Sequence, residues 1–165
     1  LSGGIENMNS RLNSLLQVIR HELEHDDSSI IYGDMQKGID TYGDIEANLV
    51  QFYEFLKISN GARFGSIDLW AYEELERQQY RLDQWIGESD NWLEIGQLLY
   101  EPVVISKLTG EISILMDEVS INDSKKIIQF DDFLIHYILG KGYEELVPGL
   151  EYDEWYHFLV RLKLI

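Results

Sequence analysis

The sequence predicts an α+β fold in which a mostly antiparallel central sheet is flanked by N-terminal and C-terminal helices. Three observations lead there. Apolar residues recur at helical spacing over residues 5–23, the period shortens to strand-like segments after Asn60-Gly61, and helical spacing returns after Phe130. Helices, then strands, then helices is the order of an α+β domain rather than of alternating βαβ units. At 165 residues, 45% hydrophobic and 26% charged, the chain fits one domain with a sizeable core. Residues 1–165 are read as that single domain, with residues 1–7, ahead of Met8, an appended or flexible lead.

Each element has its own signal. Ile5, Met8, Leu12, Leu15, Leu16, Ile19 and Leu23 step by three and four, the stripe of an amphipathic helix, and residues 25–29 read as its polar exit. A second helix is expected over residues 44–57, with Ile45, Leu49, Phe52 and Leu56 on one face. Asn60-Gly61 stops it, because both residues tolerate the left-handed conformation that ends helices. Residues 64–70 suit a strand, 72–85 a polar helix, and Trp92-Leu93-Glu94-Ile95-Gly96 another strand. Residues 102–106 and 111–116 form a hairpin about the turn Lys107-Leu108-Thr109-Gly110, and Ile127-Ile128 adds a last short strand. Phe130, Phe133, Leu134, Tyr137 and Ile138 mark a helix whose Asp131 and Asp132 suit its positive N-terminal end. Gly140-Lys141-Gly142 closes it. Pro148-Gly149 then turns the chain into a final helix carrying Trp155, Phe158, Leu159 and Leu162.

The charge balance narrows the partners. Thirty Asp and Glu against thirteen Lys and Arg give a formal charge of −17, and Lys125-Lys126 is the sole adjacent basic pair. Such a chain repels phosphate backbones and anionic lipid surfaces, so neither nucleic acid nor membrane is expected as a partner. A cationic protein is the natural complement. The sequence has no cysteine, which excludes a disulfide framework, a thiol nucleophile and a thiolate metal site. No apolar run approaches the ~20 residues that span a bilayer. The first residues lack the basic and apolar regions of a signal peptide. A cytoplasmic location is expected.

One chemical motif invites a test. His21-Glu22-Leu23-Glu24-His25 satisfies H-E-x-x-H, which places two zinc-binding imidazoles one helical turn apart with a glutamate to activate water. On the helix it would occupy, with Leu12 as origin, His21 falls at about 180° and His25 at about 220°, opposite the apolar stripe. A catalytic zinc needs a walled cleft and a third protein ligand, and the remaining His136 and His157 lie on distant helices. The pair is read as two surface histidines. Gly140-Lys141-Gly142 lacks the spacing of a phosphate loop, Gly65-Ser66-Ile67 does not match a nucleophile elbow, and no carboxylate pair is singled out. No catalytic residue, metal or cofactor is expected.

Aromatic residues offer more. Ten Tyr, four Trp and six Phe include several beside acids, at Asp68-Leu69-Trp70, Tyr72-Glu73-Glu74, Trp92-Leu93-Glu94, Tyr100-Glu101 and Tyr152-Asp153-Glu154-Trp155. Aromatic anchors amid complementary charge are what a protein-binding face uses. The contact residues expected from this pattern are Asp68, Glu73, Glu74, Glu94 and Glu101, with Trp70 and Tyr100 as anchors.

The order of these motifs resembles the SUKH superfamily. The resemblance runs over residues 45–139: Phe52-Tyr53-Glu54-Phe55-Leu56-Lys57-Ile58-Ser59-Asn60-Gly61, a strand ending at Trp70, Tyr72-Glu73-Glu74-Leu75, Trp92-Leu93-Glu94-Ile95-Gly96, Glu101-Pro102-Val103-Val104-Ile105, Thr109-Gly110-Glu111-Ile112 and Phe130-Asp131-Asp132-Phe133-Leu134. Two departures stand out, Asn48-Leu49 where a Leu-Pro is frequent, and Ala62 where a second glycine is common. The resemblance implies a SUKH-like domain and an immunity protein that binds and neutralises a cognate polymorphic toxin, often a nuclease; a nuclease domain is basic where it holds phosphate, which an acidic inhibitor complements. Its alternative is a general regulatory interaction module, as in some eukaryotic relatives.

Overall fold

The computed structural model describes residues 2–116, 121 and 124–165, with side chains from residue 10 onward. Leu12, Leu16, Ile19 and Leu23 bury one stripe of α1 (Ser2–Glu24), as their spacing requires. The side chains of Ile5 and Met8, which begin that stripe in the sequence, lie outside the described residues. Among the described residues no helix is long and apolar enough to cross a membrane.

Seven strands follow one another in space in the same order as in the chain, every neighbouring pair antiparallel. They are β1 (Gly33–Met35), β2 (Ala62–Phe64), β3 (Ile67–Leu69), β4 (Trp92–Leu98), β5 (Glu101–Ser106), β6 (Ile112–Ile114) and β7 (Lys125–Ile127). Alternation along the strands gives the sheet two faces. One carries Phe64, Ile67, Leu69, Leu98, Val103, Ile105, Ile112 and Ile114 into a core shared with α1, with α2 (Val50–Ile58) and with the C-terminal helices. Each large apolar side chain buried there contributes about 1.5–3 kcal/mol.

The C-terminal part is α4 (Phe130–Asp132), which runs on as a π-helical segment Phe133–Ile138, then α5 (Tyr143–Leu146) and α6 (Glu154–Arg161). Trp155 is fully buried, stacks on Phe158 with ring centroids 4.9 Å apart, and donates its indole N–H to the Ile138 carbonyl at 2.8 Å. Asp153 caps α6 by accepting from the Tyr156 amide at 2.8 Å, and its other oxygen accepts from the Tyr143 hydroxyl at 2.8 Å. That hydroxyl in turn accepts from the Ser66 amide at 3.2 Å, so one phenol ties the β2–β3 turn to the last helix. Burial holds the Tyr143 phenol well above its ordinary pKa, which keeps it protonated as a donor.

Four expectations need correction. Residues 64–70 are not one strand but the second half of a hairpin: β2 and β3 reverse at Gly65, whose φ of +65° suits a residue without a side chain. β1 was not anticipated, because Gly33-Asp34-Met35 has no alternating pattern and is a strand only through its pairing with β2. The polar helix expected over 72–85 is instead two 3₁₀ segments, Tyr72–Glu74 and Arg77–Arg81, followed by the single turn α3 (Leu82–Trp85). Leu75 and Leu82 are the buried apolar residues of this stretch, too few for a helical stripe, and side-chain bonds to β4 fix the chain instead. The second helix begins at Val50 rather than at residue 44, after a 3₁₀ turn Ala47–Leu49. There the Asn48 amide reaches the Lys107 and Leu108 carbonyls at 3.2 and 2.8 Å, holding the β5–β6 turn.

Candidate protein-binding face

The second face of the sheet is divided. Over β5 and β6 it is covered by the 72–91 segment, where Leu82 and Ile86 pack on Val104 and Leu115 with Trp85 and Trp92 alongside. Over β1 to β3, and over β4 at Gln97, it is open. The register sets Asp34, Arg63, Asp68 and Gln97 in one row across that open half. Arg63 Nε donates to Asp68 Oδ1 at 3.0 Å and Gln97 Nε2 to Asp68 Oδ2 at 3.0 Å, so both oxygens of Asp68 are fixed.

The row floors a groove of about 870 Å³. Trp70, Ala71, Glu73 and Glu74 form one wall, and Ile30, Gln36 and Lys37 line the other side. Asn60 braces the first wall from both ends of its amide: Oδ1 accepts from the Tyr72 amide at 2.7 Å, and Nδ2 donates to both Glu73 oxygens at 2.9 and 3.0 Å. Gly61, with φ +84°, lets the chain reverse beside it. Four carboxylates, from Asp34, Asp68, Glu73 and Glu74, meet two cations, Lys37 and Arg63, in this lining. Glu74 pairs with Arg77 at 3.3 Å; among the described residues Glu73 and Asp34 have no ion-pair partner. The surface is negative and already shaped.

Beneath the wall lies the anchor that holds it. Glu94 is fully buried, and its carboxylate accepts from Arg81 Nε at 2.6 Å, Arg81 Nη2 at 3.2 Å and Trp70 Nε1 at 2.9 Å. Gln79 completes the clamp on the same residue: its Oε1 accepts from the Glu94 amide at 2.8 Å, and its Nε2 donates to the Glu94 carbonyl at 2.9 Å. A bulge between Glu94 and Gly96 shifts the register here, and a Cβ at Gly96 would collide with the Asp68 carbonyl oxygen, the close approach that a glycine in this strand anticipates.

Of the seven residues expected to contact a partner, Asp68, Trp70, Glu73 and Glu74 come together in the groove. Glu94 does not belong with them. With no exposed surface it acts as a buried counter-ion, and this corrects its reading as a contact residue. Tyr100 and Glu101 sit apart from the groove lining, at the tip of the β4–β5 hairpin. Tyr100 is 81% exposed, Leu99 beside it 45%, and both have positive φ, +74° and +48°. Arg81 Nη1 donates to the Tyr100 carbonyl at 2.8 Å, so the same guanidinium that neutralises Glu94 also fixes this tip. Sequence reasoning missed Gln79 and Arg81, whose roles depend on contacts with β4.

The histidines of the H-E-x-x-H pattern are exposed, His21 in the last turn of α1 and His25 just past its end, their rings 4.1 Å apart, with His25 Nδ1 2.8 Å from the His21 carbonyl oxygen. Among the described residues no set of three His, Cys, Asp or Glu side chains is placed to hold a metal. Comparison with protein-family models and with curated proteins gives no match to this chain.

Proposed function

We propose that this chain is a non-enzymatic immunity protein of the SUKH type, acting in a bacterial cytoplasm, that binds a cognate toxin through the acidic groove. The observation that supports it best is the open half of the sheet face, where braced carboxylates and the Trp70 ring line a preformed concave surface. A formal charge of −17 draws a basic domain toward it, as a nuclease presents where it holds phosphate. Steering raises the association rate, and aromatic anchors slow dissociation. The toxin is occluded rather than modified.

The test is co-expression with the C-terminal region encoded by the gene immediately upstream. Toxicity relieved by this chain, with the two proteins co-purifying, is the expected result. Neither rescue nor co-purification from a toxic partner would overturn the immunity reading and favour a regulatory interaction module. The groove has its own test. The double charge reversal Glu73→Lys and Glu74→Lys is expected to slow association at low salt by on the order of tenfold or more. The deficit shrinks at 0.15 M salt, where the screening length is about 8 Å. An unchanged association rate would remove this wall from the interface.

A further inference from the structure

The cover over β5 and β6 is lightly built. Between residues 82 and 91 only Leu82 and Ile86 are buried. With Val104 of β5 and Leu115, just past β6, they form a small apolar cluster separate from the main core. Hydrophobic stabilisation grows with the apolar area removed from water, so two side chains hold this cover less firmly than Leu12, Leu16, Ile19 and Leu23 hold α1.

Its hydrogen bonds are mostly its own. The Ile86 amide donates to the Leu82 carbonyl at 2.8 Å, the Asn91 amide to the Glu88 carbonyl at 3.0 Å, and the Ser89 hydroxyl to the Asp83 carboxylate. Among the described residues one hydrogen bond joins this cover to β5, donated at 2.8 Å to the Asn91 carbonyl by the amide of Lys107, the residue after that strand. The two ends are fixed, since Arg81 is clamped on Glu94 and Trp92 opens β4 opposite Ser106. Between them Glu88 has φ +57°, in the left-handed region that disfavours a side chain. A Cβ at the adjoining Gly87 would meet nothing within 4 Å.

The covered face holds an unsatisfied group. Ser113 of β6 lies opposite Val104 and is fully buried, and its hydroxyl is the one buried side-chain polar atom without a hydrogen-bond partner among the described residues. Such a hydroxyl forfeits its hydration while the cover is closed and regains it when the cover lifts. The closed state therefore carries a cost that opening removes.

We propose that residues 82–91 form a strap that lifts off β5 and β6 as a unit, between the Arg81–Glu94 clamp and the start of β4, while the sheet stays folded. Local openings of this kind draw on segments with few buried apolar contacts. This one uncovers Val104, Ser113 and Leu115 together. The strap is independent of the immunity reading, because no residue of 82–91 lines the acidic groove.

A chain without cysteine lets thiol labelling read the opening. Val104 and Ile105 are neighbours on β5 and both fully buried, Val104 in the cluster under the strap and Ile105 in the main core. With methyl methanethiosulfonate as the probe, Val104→Cys is expected to react about tenfold faster than Ile105→Cys, or more. Its rate should also rise less steeply with urea, because that slope follows the surface exposed. Native-state amide exchange reads the same event in the wild-type chain. The Ile86, Asn91 and Lys107 amides should share one opening free energy, below that of the β4 and β5 amides and little changed by urea. Ser113→Ala removes the unsatisfied hydroxyl and is expected to slow exchange of those amides about fivefold or more. Equal rates and urea slopes for the two cysteines, strap amides that exchange only together with β4 and β5, or strap exchange unchanged in Ser113→Ala would each overturn the proposal.

Discussion

Arg81→Met is expected to cost the fold about 3–5 kcal/mol, a large part of the 5–15 kcal/mol that holds a typical domain together. The reason is the state in which it leaves Glu94. That carboxylate is fully buried, whereas the Arg81 side chain keeps 17% of its surface. Remove the guanidinium and a charged group remains in the interior with Trp70 Nε1 as its sole remaining side-chain donor among the described residues. The reverse change is milder. Glu94→Gln removes the charge and keeps an acceptor for Trp70, and the partly exposed Arg81 can recover solvent, so a loss of about 1–3 kcal/mol is expected. The double variant Arg81→Met with Glu94→Leu should regain much of the single-variant loss, because a pair replaced by apolar groups leaves no orphaned charge. Urea midpoints at constant m, combined as a double-mutant cycle, measure all three. A loss below about 1 kcal/mol for Arg81→Met would mean that the ion pair does not hold the wall. Amide exchange gives a second readout: without the clamp, protection across residues 72–81 should fall before that of β4.

This clamp also shows how far the sequence could be read. The stripes of α1 and α6 and the strands β4, β5 and β6 were legible because their apolar residues follow the period of the element. The same alternation misplaced Glu94. In Trp92-Leu93-Glu94-Ile95-Gly96 the glutamate points away from the face that carries Leu93 and Ile95, and a sheet with one solvated face would leave it in water. It is buried because the 72–91 segment folds over that face, and this cover has too few apolar residues to announce itself. Gln79 and Arg81 look like surface residues until β4 lies beneath them. β1 is legible in no local pattern at all, since three residues become a strand only once β2 offers a partner. The groove was half visible. Local composition marked Asp68, Trp70, Glu73 and Glu74, but the opposing row of Asp34 and Arg63 comes from register, which local composition does not contain.

Replacing Leu99-Tyr100 by Asn-Gly is expected to stabilise the protein and, on the proposed immunity reading, to weaken its hold on a toxin. The two residues form the whole connection between β4 and β5, with Leu98 paired to Glu101 across it, and both have positive φ. Two-residue turns of this kind favour Asn-Gly because side chains with branching or bulk strain in the left-handed region. Each such residue costs on the order of 1 kcal/mol or more, so relief at both positions amounts to about 2 kcal/mol and raises the melting temperature by ~4–8 °C. The links that fix the tip survive the change, since Arg81 donates to the carbonyl of residue 100 and the amide of residue 99 donates to Ser66. What disappears is an exposed phenol with an apolar neighbour, held rigidly at the end of a hairpin. A strained turn that displays an aromatic ring makes sense if the ring is an anchor, because its conformational cost is met before binding. The variant should therefore melt higher than wild type yet protect less well in the co-expression assay, with faster dissociation in a binding measurement. A melting temperature that does not rise would refute the strain, whereas a rise with full protection would take Tyr100 out of the interface and leave the groove wall of Trp70, Glu73 and Glu74 to account for recognition.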